Sequence, residues 1–215
     1  MKTIYEDEKV RVLDKPAGVN ADDIPSRVHR LDKNTSGILL VAKNDNALEF
    51  LQKQFEERKA EKKYLALVVG HLKNKEGVIE TLIGRSPQDR RKQKVYLPHQ
   101  PDSGGKREAV TKYKILQRFK NYDLIEVKPG TGRKHQIRTH FAYLGHPIAG
   151  DKLYGFKNQP CPAGLSHQFL HASQLKITLP SGKIKEFKSE LSKDLKLCLQ
   201  NLTSDPGTLS GFIKR

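Results

Sequence analysis

Acidic residues are in short supply in this chain: 24 Asp and Glu stand against 40 Lys and Arg in 215 residues, a formal charge of +16. That surplus exceeds what solubility needs and points to a polyanionic partner, nucleic acid first, because neutralising phosphates releases their counterions. Cysteine is scarcer still. Cys161 and Cys198 form no disulfide framework and no CxxC pair, so both read as free thiols. No apolar run approaches the roughly 18 residues that a membrane-spanning helix needs, and the charged start from Met1 to Lys9 does not resemble a leader peptide. A cytoplasmic protein with no membrane partner is expected. Also missing are internal repeats and any linker long enough to divide two domains, so the expectation is one domain over 1–202 and a loose tail over 203–215.

Two familiar kinds of site are excluded by spacing. Gly130-Thr131-Gly132-Arg133 follows a strand and feeds a helix, but it lacks both the GxGxxG and the GxxxxGK[ST] patterns, so no nucleotide-binding loop is assigned. His135 and His140 lie five residues apart, off a common helical face, with no acid to complete a HExxH pattern. Neither a nucleotide site nor a zinc site is expected.

What the chain does have is His29-Arg30-Leu31-Asp32-Lys33-Asn34-Thr35-Ser36-Gly37, running straight into the apolar Ile38 to Ala42. One carboxylate, Asp32, stands in turn chemistry ahead of a buried-strand pattern, flanked by bases that can meet phosphate or balance the acid. The same pattern also suits a plain turn aspartate bonded to its own backbone. Around it the chain reads as a strand over Val10 to Leu13 closed by Asp14-Lys15-Pro16-Ala17-Gly18, a polar loop from Asn20 to Arg27, and a central strand from Gly37 to Lys43. A helix over Asn46 to Arg58, capped by Asn44 or Asp45, turns Leu48, Leu51 and Phe55 inward.

Lys62 to Gly70 reads as the next buried strand with Tyr64 at its basic mouth, where a tyrosine serves either packing or function. Val78 to Ile83 reads as another strand. Arg85 to Arg107 is a basic surface loop or hairpin whose Arg90, Arg91 and Lys92 are expected to contact RNA rather than form only a solvated face. Val110 to Leu116 and Tyr122 to Lys128 are expected to pair as strands, followed by a helix with Ile137, Phe141 and Leu144 as its buried stripe and Gly145 as its stop. A hairpin from Leu175 to Phe187 and a closing helix carrying Leu191, Leu195, Cys198 and Leu202 complete the pattern.

Read in order, Lys15-Pro16-Ala17-Gly18, His29-Arg30-Leu31-Asp32 with Thr35-Ser36-Gly37, Tyr64-Leu65-Ala66-Leu67-Val68, Gly132-Arg133 with His135-Gln136-Ile137-Arg138, Gly145-His146-Pro147-Ile148 with Gly150-Asp151, and Leu170-His171-Ala172 resemble the RluA family of RNA pseudouridine synthases. The resemblance implies an α+β pseudouridine synthase fold: a mixed, mainly antiparallel sheet with a central catalytic cleft flanked by helices and loops. The chain departs from the many relatives that carry an S4-type RNA-binding domain in front, since it starts almost directly at the entry strand; a catalytic domain without that module, acting as a monomer, is expected. The resemblance also implies cofactor-free isomerisation of uridine in ribosomal RNA, most readily of the large subunit, or in tRNA. The base must leave its stack for both C1′ and C5 to be reached.

By that resemblance Asp32 is the catalytic carboxylate, Arg133 the arginine that pairs with it, and Tyr64 the aromatic that stacks on the base and takes the C5 proton. Arg30 matches the residue that props the gap left by the flipped nucleotide, Ile137 the apolar floor of the pocket, and His29 and Arg138 stand in the same RNA-contacting motifs. Lys134 stands where threonine is common. Two other functions compete: a catalytically silent RNA-binding or ribosome-assembly factor on the same fold, against which the joint retention of Asp32, Tyr64 and Arg133 speaks, and a glycosidase, which would want two carboxylates where only Asp32 stands out.

Overall fold

The computed structural model describes residues 1–203; of the expected tail, 204–215 lie outside the described residues. In chain order the elements are β1 (Lys2–Glu6), β2 (Val10–Lys15), β3 (Ser36–Ala42), α1 (Asp45–Glu56), β4 (Glu61–Val69), β5 (Glu76–Arg85), β6 (Gln93–Tyr96), β7 (Arg107–Phe119), β8 (Tyr122–Pro129), α2 (Gln136–Tyr143), β9 (Leu170–Thr178), β10 (Ile184–Lys188) and α3 (Lys193–Gln200). They fall into two compact units. The first joins Met1–Tyr64 to Leu170–Lys193, and the second joins Leu65–Phe169 to the segment that starts at Asp194.

In the first unit the strand order is β1, β2, β3, β9, with β10 paired on β9. Every pairing there is antiparallel except β3 with β9, which meet in parallel only at Ser36 and Gly37 against His171 and Ala172. The apolar run Ile38 to Val41 is explained by cover on both faces, since a strand buried on one side alone would alternate. Ile38, Leu40 and Ala42 pack with Val10, Val12, Leu175, Ile177 and Phe187 under Ala47 and Leu51 of α1. Leu39 packs on the other face with Leu13, Ala172 and the loop residues Ala21, Ile24 and Leu31, and Tyr64 packs against that same cluster. Helix α1 starts where the sequence placed it: the Asn44 side chain accepts from the Ala47 N–H at 2.9 Å.

Gly37 is required at its place. Its φ is +108°, and a Cβ there would collide with the Ala172 backbone, so any other residue would force β3 and β9 apart where their backbones pair. In the second unit β8, β7, β5 and β6 run in that order, all antiparallel. Part of the expected basic loop is therefore strand: β6 supplies residues 93–96, and β7 begins at Arg107 rather than Val110. Helix α2 buries Gln136, Ile137, Arg138, Thr139, His140 and Phe141 together. Its expected third apolar position, Leu144, lies past the helix end and is 38% exposed. Strand β1 is an addition that the charged N-terminal sequence did not advertise. Both cysteines are free thiols, Cys161 exposed and Cys198 buried. No helix among the described residues is long and apolar enough to cross a membrane.

Candidate active site

Asp32 opens a tight turn. The Thr35 N–H donates to the Asp32 carbonyl at 3.0 Å, and the half-buried carboxylate stands at its start, directly before β3. What fixes the turn is Lys15, at the end of β2. The side chain is 0% exposed, and its ammonium donates to the carbonyls of Pro16 (2.9 Å), Val19 (2.8 Å) and Lys33 (3.0 Å). All three of its donors are thereby used. The Gly18 N–H adds a second donor to the Lys33 carbonyl at 2.9 Å. Two turns far apart in sequence are thus stitched together through one buried charge. Burial pulls the Lys15 pKa down to about 8, and the Asp32 carboxylate opposes that shift, which puts the acid within electrostatic reach of the clamp.

Tyr64 sits half-buried on β4 against the cluster of Leu13, Leu31 and Leu39. Burial raises its phenol pKa and the Asp32 charge raises it further, so the hydroxyl stays protonated through the physiological range. Such a group donates a hydrogen bond readily and can accept a proton only while passing its own on. Asp32, Tyr64 and Lys15 therefore share one unit and one electrostatic neighbourhood.

The flanking residues separate. Arg30 projects with its side chain 63% exposed, steadied at 3.6 Å by Asp22, which also holds Arg27 at 2.7 Å. His29 turns the other way: its Nε2 accepts the Leu40 N–H at 3.1 Å and its ring stacks on Phe55 at 4.7 Å. Burial and then the nearby Lys62 push its pKa down to about 3, so it is neutral and serves β3 in the free protein. Polarity in the sequence does not tell those two neighbours apart; packing does.

Arg133, Ile137 and Arg138 belong to the second unit, around the turn that leads into α2. Strand β8 stops pairing with β7 at Pro129 opposite Thr111, and the turn takes over the vacant β7 edge. The Gly130 N–H donates to Val110 O at 2.9 Å, Thr131 Oγ1 accepts the Val110 N–H at 3.0 Å, and Arg133 Nε donates to Glu108 O at 2.9 Å. The arginine side chain thus takes the place of the next strand residue. Gln136 locks the arrangement: its oxygen accepts from the Thr131 hydroxyl (2.7 Å) and the Arg133 N–H (3.0 Å), and its amide nitrogen donates to Val110 O and Thr111 Oγ1, both at 2.9 Å. Behind it His140 bridges the Thr111 and Thr81 hydroxyls at 2.8 and 3.0 Å, and burial lowers its pKa to about 4.

Ile137 is buried on α2. Arg138 is not presented to solvent: its side chain is 8% exposed and grips Asp151 with Nε and Nη2 at 2.7 and 2.9 Å, so its fork is engaged inside the fold. Its guanidinium also lies 5.0 Å from the Tyr154 ring, whose hydroxyl meets His135 Nδ1 at 2.9 Å. His135 and His140 thus serve different partners. In the basic arm Arg90 is exposed, Lys92 is half-buried, and Arg91 is tied back to Asp89 by two bonds of 3.0 and 2.8 Å. The positioning residues that the sequence left without a role are Lys15 and Gln136. Both stand inside motifs quoted above, but nothing in a lone Lys-Pro or His-Gln pair says that the side chain is buried and fully bonded.

Comparison with known proteins places this geometry. Residues 6–143 match the family model for RNA pseudouridylate synthase. An uncharacterized RNA pseudouridine synthase of Aquifex aeolicus is 42% identical over 191 residues, covering 75% of this chain and 58% of that protein. The ribosomal large subunit pseudouridine synthase D of Borreliella burgdorferi is 36% identical over 227 residues, covering 92% of this chain and 67% of its own length. Among solved structures, human RNA pseudouridylate synthase domain containing 1 superposes with a TM-score of 0.79 at 26% identity, covering 94% of this chain and 88% of that one. The chain spans 58% and 54% of the length of the first two curated relatives that it matches.

Proposed function

Since the chain belongs to the RNA pseudouridylate synthase family, we propose that it isomerises uridine within RNA to pseudouridine, with Asp32 as the catalytic carboxylate. The observation that carries the proposal is the immobilised turn: the backbone beside Asp32 is held by a buried lysine bonded to three carbonyls, with a protonated tyrosine within reach of the carboxylate's charge. A carboxylate held in one geometry needs little reorganisation when charge develops at the sugar.

In the reaction the N1–C1′ bond of uridine breaks, the detached uracil turns over, and C5 bonds to C1′. The proton on C5 then leaves and N1 gains one, so the base ends as an isomer with nothing added or lost. Asp32 starts this either by adding to C1′ or by abstracting the 2′ proton. Tyr64 stacks on the base and removes the C5 proton, and its raised pKa requires that it hand on its own proton in the same step. Arg133 and Ile137 take the roles that the family resemblance gives them: the cation that serves the carboxylate, and the pocket floor. Exposed Arg30 props the gap left by the flipped nucleotide, and Arg90 and Lys92 meet phosphate. The names of the relatives, among them the ribosomal large subunit synthases of Borreliella burgdorferi and Vibrio vulnificus, support large-subunit ribosomal RNA as the substrate and the cytoplasm as the place of action.

The test is Asp32→Asn, assayed by tritium release from RNA labelled at uridine C5 and by RNA binding. Affinity should stay near wild type, because phosphate contacts supply most of it, while product formation disappears. Measurable turnover by that variant rejects Asp32 as the catalytic group. A wild-type protein that binds RNA but leaves every uridine unchanged in a comparison of cells with and without the gene rejects the enzyme in favour of a silent RNA-binding factor.

A further inference from the structure

In the second unit strands β6, β5 and β7 lie side by side and bring two lysines to a single aromatic ring. Register places Gly84 of β5 opposite Lys94 of β6, and Leu82 opposite Tyr96. Ile83 pairs with Arg107 on the other side, so Lys106, one residue earlier, stands beside Gly84. Lys94 and Tyr96 are two apart and share a face. Gly84 leaves that face open between them: a Cβ there would fall on the Lys106 side-chain carbons, which lie across β5 in its stead. The outcome is that both ammonium groups sit 5.0 Å from the centroid of the Tyr96 ring, and so no more than twice that distance from each other. Tyr96 is 2% exposed and anchored by its hydroxyl, which donates to Arg85 O at 3.0 Å.

Neither ammonium has an ion-pair partner among the described residues. Lys106 Nζ makes one long bond, 3.4 Å, to Gly104 O. Asp102 lies close enough to raise the Tyr96 pKa alongside its burial, and Glu108 stands two residues beyond Lys106, yet neither acid pairs with either lysine. The contrast with Arg91, bonded twice to Asp89, is direct. Two like charges gathered around one ring repel each other, and an anion that reaches both relieves that repulsion.

We propose that Lys94 and Lys106, seated on Tyr96, form a phosphate-binding site for the RNA backbone next to the target uridine. This rests on the reading of the partner as RNA. The placement supports it: Lys106 is two residues along the chain from Glu108, whose carbonyl holds Arg133, a separation of roughly 7 Å on an extended strand. A strand whose target base is served by Arg133 has its neighbouring phosphates at that range. The ring can also stack a base only at its rim, so the site reads charge and backbone, not sequence.

The test is the double variant Lys94→Gln with Lys106→Gln, compared with wild type and with Arg91→Gln, each verified as folded by thermal melting. The probe is a fluorescent oligouridine, its affinity measured by anisotropy across a salt series. For two phosphate contacts to a single strand, the slope of log affinity on log salt should flatten by about 1.4, with affinity at moderate salt down roughly tenfold. Arg91→Gln should move both far less. An unchanged slope and affinity in the double variant overturns the site, and so does an equal loss toward polyglutamate, which would show a cation pair indifferent to phosphate. If wild type modifies RNA while the double variant binds like wild type, only this site fails. If wild type shows the slope and the double variant loses it, but no uridine is ever converted, this site stands and the proposed isomerisation fails.

Discussion

At Tyr64 the ring and the hydroxyl can be tested apart. The ring packs on Leu13, Leu31 and Leu39, and the hydroxyl is kept protonated by burial and by the charge of Asp32. Tyr64→Phe keeps the ring, so stability and RNA affinity should hold, because stacking of an aromatic on a base, worth about 1 to 3 kcal/mol, does not involve the oxygen. Turnover should fall by orders of magnitude, with the base detached and rejoined but the C5 proton retained. Rapid quench followed by nucleoside analysis would find that intermediate. Wild-type turnover would leave Tyr64 as a packing residue of β4, a reading that its contacts with Leu13, Leu31 and Leu39 also allow. His29 and Arg30 make the complementary point: one neighbour is folded inward as a neutral acceptor for β3, the other stands in solvent beside Asp22.

Among elements, the turn after β2 and the turn before β3 act as one piece because a single ammonium ties them. Lys15→Met keeps the length and apolar volume of the stem but leaves the Pro16 and Val19 carbonyls without that donor, while Lys33 O keeps the Gly18 N–H. Each of these part-buried carbonyls left unmet costs about 1 to 3 kcal/mol, so a loss of about 2 to 6 kcal/mol is expected in urea denaturation. The Asp32 turn should loosen with it, lowering turnover at temperatures where the protein is still folded. A variant as stable as wild type would mean that water replaces the ammonium. On the other element, the turn over 130–135 gains its order from an edge left open by β8 and from Gln136, which uses both donors and both acceptors. That turn needs no glycine-rich phosphate loop to be rigid.

For the whole molecule, buried neutral histidines set the response to acid. His140 has its pKa lowered to about 4 in the fold against 6.5 unfolded. Between those values the unfolded chain binds a proton that the folded one refuses. Stability is therefore intact above about pH 6.5 and falls as pH drops toward 4, by about 1.4 kcal/mol per pH unit, with His29 acting in the same direction. Chemical denaturation at stepped pH would measure the slope, and His140→Gln should remove one proton's share of it. A slope unchanged by that substitution would mean that other groups carry the acid response. The surplus of Lys and Arg acts at this scale too, since it draws the whole protein toward a polyanion before any particular contact forms.

The amino-acid sequence determined what depends on neighbours along the chain. Asn44 caps α1, the run Ile38 to Ala42 forms a strand, and the motif around Asp32 carries the family resemblance, because caps, turn chemistry and apolar periodicity act within a few residues. Tertiary structure decided what depends on residues brought together from afar. In the sequence Lys15 is one residue of a strand-closing turn and Arg138 stands in an RNA-contacting motif, yet one is the buried clamp of the Asp32 turn and the other is bound to Asp151. The basic stretch from 85 to 107 read as a run of equal charges. The structure divides it into an arginine neutralised by Asp89 in a local turn and two lysines that strand register gathers on Tyr96. A charge has no partner until the fold supplies one, and that is why its role could not be read from its place in the sequence.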